Sequence, residues 1–556
     1  MSEQLLDTPA KHSFSFASLA DSAWNSLREA AFKTGWKPAT RLAEAAVVAL
    51  MQNITKGQLR VLTCDHIYIF PVPGSKEEAE NEMPDLKAEL RVVNDVFWVR
   101  LCTMSDLGFA EAYMYGDVEC EDLVSVFLMF IYNRESLASM TSKASYLFSI
   151  PQKLTSYRFV NSIGNSRSNI SAHYDISNDM FKGFLSEDMT YSCAIFDELD
   201  GDLKDGTTAR GSWSGGEGLT RLGLYIKNLS LASSGDNSRS STPTLPSSPL
   251  LKAQLDAKQD PLHAAQLRKL SHIIRKANIL PGQTILEIGS GWGSMAILIA
   301  RTIPGTIIHT LTLSVHQREL ALARVKEAGI EEGRVQVHLL DYRNVKNREE
   351  WRGAFDRVIS IEMVEAVGGE YLAEYWSVID WALRPRTGVG VIQGITIPES
   401  RFEKYQSEVD FIRKWSKQTA FLASAHLFTT LRVITVFPGG LLPSISLLIE
   451  TMQKGSNGRL IVDSISNIGP HYARTLREWR HRFLERFDDV VVPALVREYP
   501  NVMGGERGRR EIEVFKRKWI YYYCYCEVGF TTRTLGDHII TFTREGHEEY
   551  GCQVFE

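Results

Sequence analysis

From Pro261 to Pro398 the chain alternates segments of helical period with short β-branched runs, and that alternation restricts this half to a doubly wound α/β sheet. DPLHAAQLRKLSHIIRKANIL has amphipathic spacing, TILEIGSGWG is a strand running into glycines, and AILIARTI is helical. TIIHTLTLS reads as the next strand, HQRELALARVKEAG as a helix ending at Gly329, and RVQVHLLDY as a third strand. FDRVISIEMVE, YLAEYWSVIDWAL and GVGVIQGITIP continue as strand, helix and strand.

The first strand of this series carries the chemistry. Glu287 stands near its end, and Gly289, Gly291 and Gly293 follow at the C-terminal edge, where open α/β sheets bind ligands. Glycines there let backbone approach a ligand closely. A dinucleotide site usually has an acid ending the next strand, but that strand runs His309, Thr310, Leu311, Thr312, Leu313, Ser314. NAD is therefore disfavoured, and S-adenosylmethionine fits better. A structural glycine turn is the plain alternative.

At 556 residues the chain exceeds one ordinary core. Residues 20–150 mix helical patterns with strands: LRVLTCDHIYIFPVPG as a hairpin, ELRVVNDVFWVRL as a further strand, and a helical stretch from Gly108. A small N-terminal α+β domain over 1–150 is expected, followed by a catalytic domain over 151–556. Within the latter, about 200–258 reads as an inserted disordered loop, because SSGDNSRSSTPTLPSSP has almost no apolar content to offset its ordering entropy.

A net charge of −5 gives no reason to expect nucleic-acid binding. The densest basic stretch, GERGRREIEVFKRK, mixes signs and reads as a solvated helix face. Seven scattered cysteines without a CxxC pair argue for a reducing compartment and against both disulfides and a zinc site, so no metal is expected. Cys524-x-Cys526 lacks a second ligand pair. No secretory signal and no run of about 18 apolar residues is seen. A cytoplasmic protein, soluble or peripheral on membranes, is the expectation.

HYDISNDMF, MTYSCAIF, LEIGSGWG, TLTLSVHQ, DYR at 341–343, IEMVEAVG and FPGGLLPS, in this order, resemble the cyclopropane-fatty-acyl-phospholipid synthase family, related to the mycolic acid cyclopropane synthases. RVVNDVFW and GFAEAYMYGDVECEDL resemble that family's small N-terminal lipid-associated domain. The resemblance implies a class I methyltransferase that transfers a methylene from S-adenosylmethionine to a cis double bond of a phospholipid acyl chain. The alkene is a poor nucleophile and its methylated product is a carbocation, so the site must exclude water and hold a base at the new methyl. Relatives hold bicarbonate for that task.

By the same resemblance Tyr191 and Ser192 lie near the cofactor, and the backbone amide of Cys193 helps cradle bicarbonate, with a buried structural cysteine as the alternative. Glu365 matches the active-site glutamate, Tyr472 the active-site tyrosine, and Ile395 a backbone contact. Gly289, Gly291, Trp292 and Gly293 are implied around the cofactor with Glu287, Ser314 and Gln317, and Asp341 and Tyr342 fall at the adenine. A phospholipid bilayer is the implied partner, and a homodimer is entertained as the assembly. WIYYYCYCEVGF reads as acyl-pocket wall plus core packing.

Three departures stand out. Gln393 and Ala366 occupy positions where bacterial members often have histidine, so Gln393 can donate a hydrogen bond but cannot titrate. A methyl- or methylene-branched product, or an inactive lipid-binding homologue, therefore stays beside ring closure as a reading. The 21 residues from Ser416 to Val436 interrupt what family members run together as KWIFPGG. Ser416-Lys417 and Thr435-Val436 can encode splice-site sequences, and the reading frame survives removal of the stretch between those sites; a translated retained intron is expected, with a lipid-contacting insertion as the alternative.

Overall fold

The computed structural model describes residues 37–138, 178–204, 260–407, 411–412 and 441–551. The insert beyond Lys204, the 416–436 segment, the HYDIS portion of the first family motif and the domain junction near 150 lie outside the described residues.

The N-terminal unit is α+β. Helix α1 (Lys37–Met51) precedes a hairpin of β1 (Gln58–Leu62) and β2 (Ile67–Phe70), and β3 (Lys87–Val92) pairs in parallel with β1. The strand expected over ELRVVNDVFWVRL ends at Val92. Asn94 and Asp95 break it, and helix α2 (Val96–Met104) takes over, burying Phe97 and Trp98. Adjacent apolar residues are what a helix needs for one buried stripe, and a half-buried strand cannot use them. Helix α3 (Asp106–Tyr115), the short β4 (Val118–Glu119) and helix α4 (Leu123–Tyr132) complete the unit. Helix α4 is apolar nearly all round because it is a core helix; among the described residues no helix is long and apolar enough to cross a membrane.

The catalytic half is the expected doubly wound sheet. After helix α5 (Pro261–Lys276) come β5 (Thr284–Ile288), α6 (Ser294–Thr302), β6 (Ile307–Thr312), α7 (Val315–Glu327) and β7 (Val335–Leu339). The chain then crosses to β8 (Arg357–Ile361), α8 (Leu372–Ala382) and β9 (Val389–Thr396). After helix α9 (Ile445–Ser456), β10 (Leu460–Asn467), α10 (Gly469–Glu485), α11 (Gly505–Thr531) and β11 (Gly536–Arg544) finish the domain.

The seven strands run β10-β11-β9-β8-β5-β6-β7, with β11 antiparallel to both neighbours and the rest parallel. Strand β5 lies where the winding reverses, so the ligand crevice opens at the C-terminal ends of β5 and β8. Strand β9, flanked on both edges, is buried almost throughout, as an interior strand of a covered sheet must be.

Helix α11 joins the two units. Tyr521 meets Phe127 of α4 edge-on at 5.0 Å and Phe109 of α3 at 6.3 Å. Tyr523 and Trp519, on the same helix, pack instead on Phe184 beside the cavity. The basic stretch expected as a solvated face forms the first turns of this helix.

Candidate active site

Helix α5 brings the TYSC segment to the sheet. Asp260 caps its first turn by accepting from the amides of Leu262 and His263, with Pro261 as the first helical residue. Further along, Gln266 Nε2 donates to the Ser192 carbonyl at 2.7 Å, Arg268 donates to the Ile195 carbonyl at 2.7 Å, and the Ile195 amide donates to the Ala265 carbonyl. Helix α10 holds the other side, with Thr475 Oγ1 accepting from the Ala194 amide at 3.2 Å. Residues far ahead of the glycine loop in sequence are thereby laid across it.

A cavity partly open to solvent fills the crevice. Of the residues expected at the cofactor, Tyr191, Ser192, Glu287, Gly289, Gly291, Trp292, Gln317, Asp341 and Tyr342 line it. Gly289 and Gly291 have φ of +99° and +48°, and a Cβ placed on Gly291 meets nothing within 4 Å, so that face of the loop is free for a ligand. The Trp292 indole donates to Asn178 Oδ1 at 2.8 Å and packs on Phe181, while Tyr191 lies over Trp479 at 5.0 Å. These rings form an apolar, π-rich wall suited to a sulfonium cation. Gln317, buried, accepts from Thr312 Oγ1 and keeps its amide nitrogen for a ligand hydroxyl. The residues present fit S-adenosylmethionine.

Two residues expected at the cofactor do other work. Gly293 does not line the cavity; it begins α6 at φ +89°, and a Cβ there would press on Ala321 Cβ at 3.3 Å. Its role is the close packing of α6 on α7. Ser314 likewise lies behind the wall, capping α7 by accepting from the Gln317 amide at 3.2 Å. Asp341 lines the cavity, but its carboxylate already accepts from the Arg343 amide and guanidinium.

Cys193, Gln393 and Tyr472 come together in the fold, and their shared partner is Glu362. The Cys193 amide donates to Glu362 Oε1 at 2.7 Å, Gln393 Nε2 donates to the same oxygen at 2.9 Å, and the Tyr472 hydroxyl donates to Oε2 at 2.6 Å. Gln393 Nε2 also reaches Asp537 Oδ2 at 2.8 Å. Glu365 lies beside this group, with Oε1 accepting from the Ile395 amide at 2.5 Å. Of these residues Glu362 lines the cavity, whereas Cys193, Glu365, Gln393, Ile395, Tyr472 and Asp537 do not. The Cys193 amide, expected to cradle bicarbonate, and the Gln393 carboxamide are thus already engaged by a carboxylate of the chain itself. The cluster as it stands does not fit a second anion in the same place.

The electrostatics follow from burial. Desolvation pushes Asp537 up to about 7 and, with the Glu362 charge nearby, Glu365 up to about 8. Burial and the Asp537 charge also raise Glu362 well above the carboxylate range, against the pull of the Cys193 amide, the Tyr472 hydroxyl and the Lys269 charge. Lys269, buried and donating to Ser192 Oγ at 2.6 Å, is lowered by desolvation. Glu287 at the cavity is raised to about 8 by burial. The Cys193 thiol is pushed far up by burial and by the Asp537 and Glu362 charges, which removes it as a nucleophile.

Sequence reasoning missed Glu362, Asp537, Lys269 and Gln266. Glu362 had a usable signal, as an acid immediately after a parallel strand at the ligand edge. Asp537 had none, because it comes from the strand that closes the sheet from the far end of the chain.

Comparison with known proteins identifies the family. The family model described as mycolic acid cyclopropane synthetase matches residues 162–212 and 252–537. The tuberculostearic acid methyltransferase UfaA1 of Mycobacterium tuberculosis is 32% identical over 440 residues, covering 79% of each chain. The cyclopropane-fatty-acyl-phospholipid synthase of Escherichia coli is 25% identical over 460 residues, 82% of this chain and 88% of that one. Among solved structures, coclaurine N-methyltransferase with S-adenosylhomocysteine overlays with a TM-score of 0.50 at 16% identity, over 79% of this chain and 99% of that one, a likeness of fold.

Proposed function

Because the chain belongs to the mycolic acid cyclopropane synthetase family of S-adenosylmethionine-dependent methyltransferases, we propose that it adds the cofactor's methyl carbon to a cis double bond of a phospholipid acyl chain and closes a cyclopropane ring. The observation that carries this reading is the carboxylate cluster behind the cavity wall, anchored away from water and reaching the cavity through Glu362.

S-adenosylmethionine, when bound, supplies an electrophilic methyl group. Residues of the chain do the rest. Tyr191, Trp292, Phe181 and Trp479 exclude water that would trap a carbocation, and their π faces favour positive charge. The buried carboxyls offer an acceptor for the proton that ring closure releases.

A second reading, transfer giving a methyl or methylene branch, is supported by the 32% identity to a tuberculostearic acid methyltransferase and by Gln393, which cannot titrate. Membrane contact is part of the proposal, since the acyl chain lies in a bilayer. The four most exposed large apolar side chains among the described residues, Leu42, Ile67, Val93 and Val72, all belong to the N-terminal unit.

Lipid mass spectrometry on cells that express the chain and are fed deuteromethyl methionine tests the reading. A gain of one CH₂ that keeps two of the three deuterons and adds no hydrogen on catalytic reduction identifies the ring. A product that takes up hydrogen identifies a methylene branch, and unmodified lipids refute both.

A further inference from the structure

We propose that Glu362 is the resident base of this enzyme, its carboxylate standing where Cys193, Gln393 and Tyr472 would otherwise hold a free anion. The inference rests on the acyl-chain chemistry proposed above and assigns the proton acceptor within it.

The hydrogen bonds carry the proposal. One oxygen of Glu362 accepts from a backbone amide and a carboxamide, and the other accepts from a phenol. That is the donor set a small oxyanion would need, and a carboxylate presents two oxygens to it with the same planar geometry. An additional anion here would have to displace Glu362 from three donors. It would also add a charge to a buried space shared with Asp537 and Glu365, where desolvation already disfavours the ionised form of both carboxyls.

The backbone is shaped to deliver the side chain. Glu362 has φ of +46°, a left-handed conformation that non-glycine residues adopt only when their surroundings enforce it, and its amide is tied to the Gln393 carbonyl at 2.8 Å. This turn at the end of β8 lets the residue both meet the donors and line the cavity. The facing groups are Asp537, Glu365, Lys269, the Tyr472 phenol and the Cys193 thiol. Burial raises Glu362, which makes it a stronger base once ionised.

In the step assigned to it, the alkene π pair would form the new bond to the methyl carbon, and the electron pair of the breaking carbon–sulfur bond would stay on sulfur. Glu362 then takes a proton from the added methyl, and the electrons of that C–H bond close the ring on the cationic carbon. For a methylene product, a hydride first shifts from the methyl-bearing carbon to its cationic neighbour. Removal of the same methyl proton then forms the exocyclic double bond. The chain supplies the acceptor in both cases and needs no dissolved anion.

The test uses the purified full chain. Carbon-13-labelled bicarbonate and formate are titrated, with S-adenosylhomocysteine present, into wild type and Glu362→Ala, with binding followed by carbon-13 line broadening. The expected result is no binding to wild type and formate or bicarbonate binding to the alanine variant; bicarbonate binding to wild type overturns the proposal. In the activity arm, carbon-dioxide-free buffer leaves the wild-type rate unchanged. Glu362→Gln lowers it at least about a hundredfold, while cofactor affinity stays within about threefold. Formate restores part of the rate to Glu362→Ala. A wild-type rate that falls without bicarbonate, or an active glutamine variant, overturns the assignment. If wild type modifies no lipid at all, the acyl-chain reading fails, and the binding arm still decides what occupies the donors.

Discussion

The carboxylate of Glu362 lies 2.6 Å from the hydroxyl of Tyr472, a residue 110 positions away on helix α10. The phenol ring is fixed independently of that bond, stacked on Phe530 at 4.5 Å with an interplanar angle of 22°. Position and donor function can therefore be separated by one atom. Tyr472→Phe should keep the ring stacked, change stability by about 1 kcal/mol, and lower the rate by about tenfold to a hundredfold, the worth of one hydrogen bond to a charged group. Initial rates and thermal melts on the same preparation check both halves.

Cys193 acts through its backbone. Its amide donates to Glu362, while its thiol is buried and held protonated. Cys193→Ala should therefore keep the rate within about threefold and leave the pH profile unchanged, since no thiolate takes part. Loss of activity with normal cofactor binding would show that the thiol itself matters.

Two of the three glycines of the GSGWG turn should fail in different ways. Gly293→Ala meets Ala321 and is strained at φ +89°, so it should cost about 1–2 kcal/mol of stability, read as a lower melting temperature. Gly291→Ala points its methyl into open space where the ligand would lie. Its larger effect should be weaker S-adenosylhomocysteine binding, measured by calorimetry.

Glu365 links the site to stability. Its carboxyl is raised from 4.5 to about 8, so between those values the folded chain holds a proton that the unfolded chain releases. The associated stability is fully present below about pH 4.5 and is lost as pH rises to about 8. Glu365→Gln can still accept from the Ile395 amide and should flatten this dependence. Melting temperatures across that range, compared between wild type and variant, test the sign.

Much of this was legible in the sequence. The strand–helix alternation from Pro261 gave the sheet because period and length both discriminate there, and the glycine turn marked its ligand edge. At 89–101 the reading went too far, since a strand and a helix abut with only Asn94 and Asp95 as punctuation. Within the site, motif likeness drew attention to Glu365 and away from Glu362, three residues earlier. What separates the two is the left-handed backbone at Glu362 and the convergence of donors from positions 193, 393 and 472. Those are tertiary facts with no local pattern, and the same holds for Asp537 and for Lys269 on the inner face of α5.

Purified protein incubated with S-adenosylmethionine and vesicles of monounsaturated phospholipid, followed by acyl-chain mass spectrometry, addresses the proposed reaction with nothing else present. The expected result is a gain of one CH₂ at the double bond, abolished in Glu362→Gln. Bound cofactor with no change in acyl mass on any unsaturated phospholipid would contradict it.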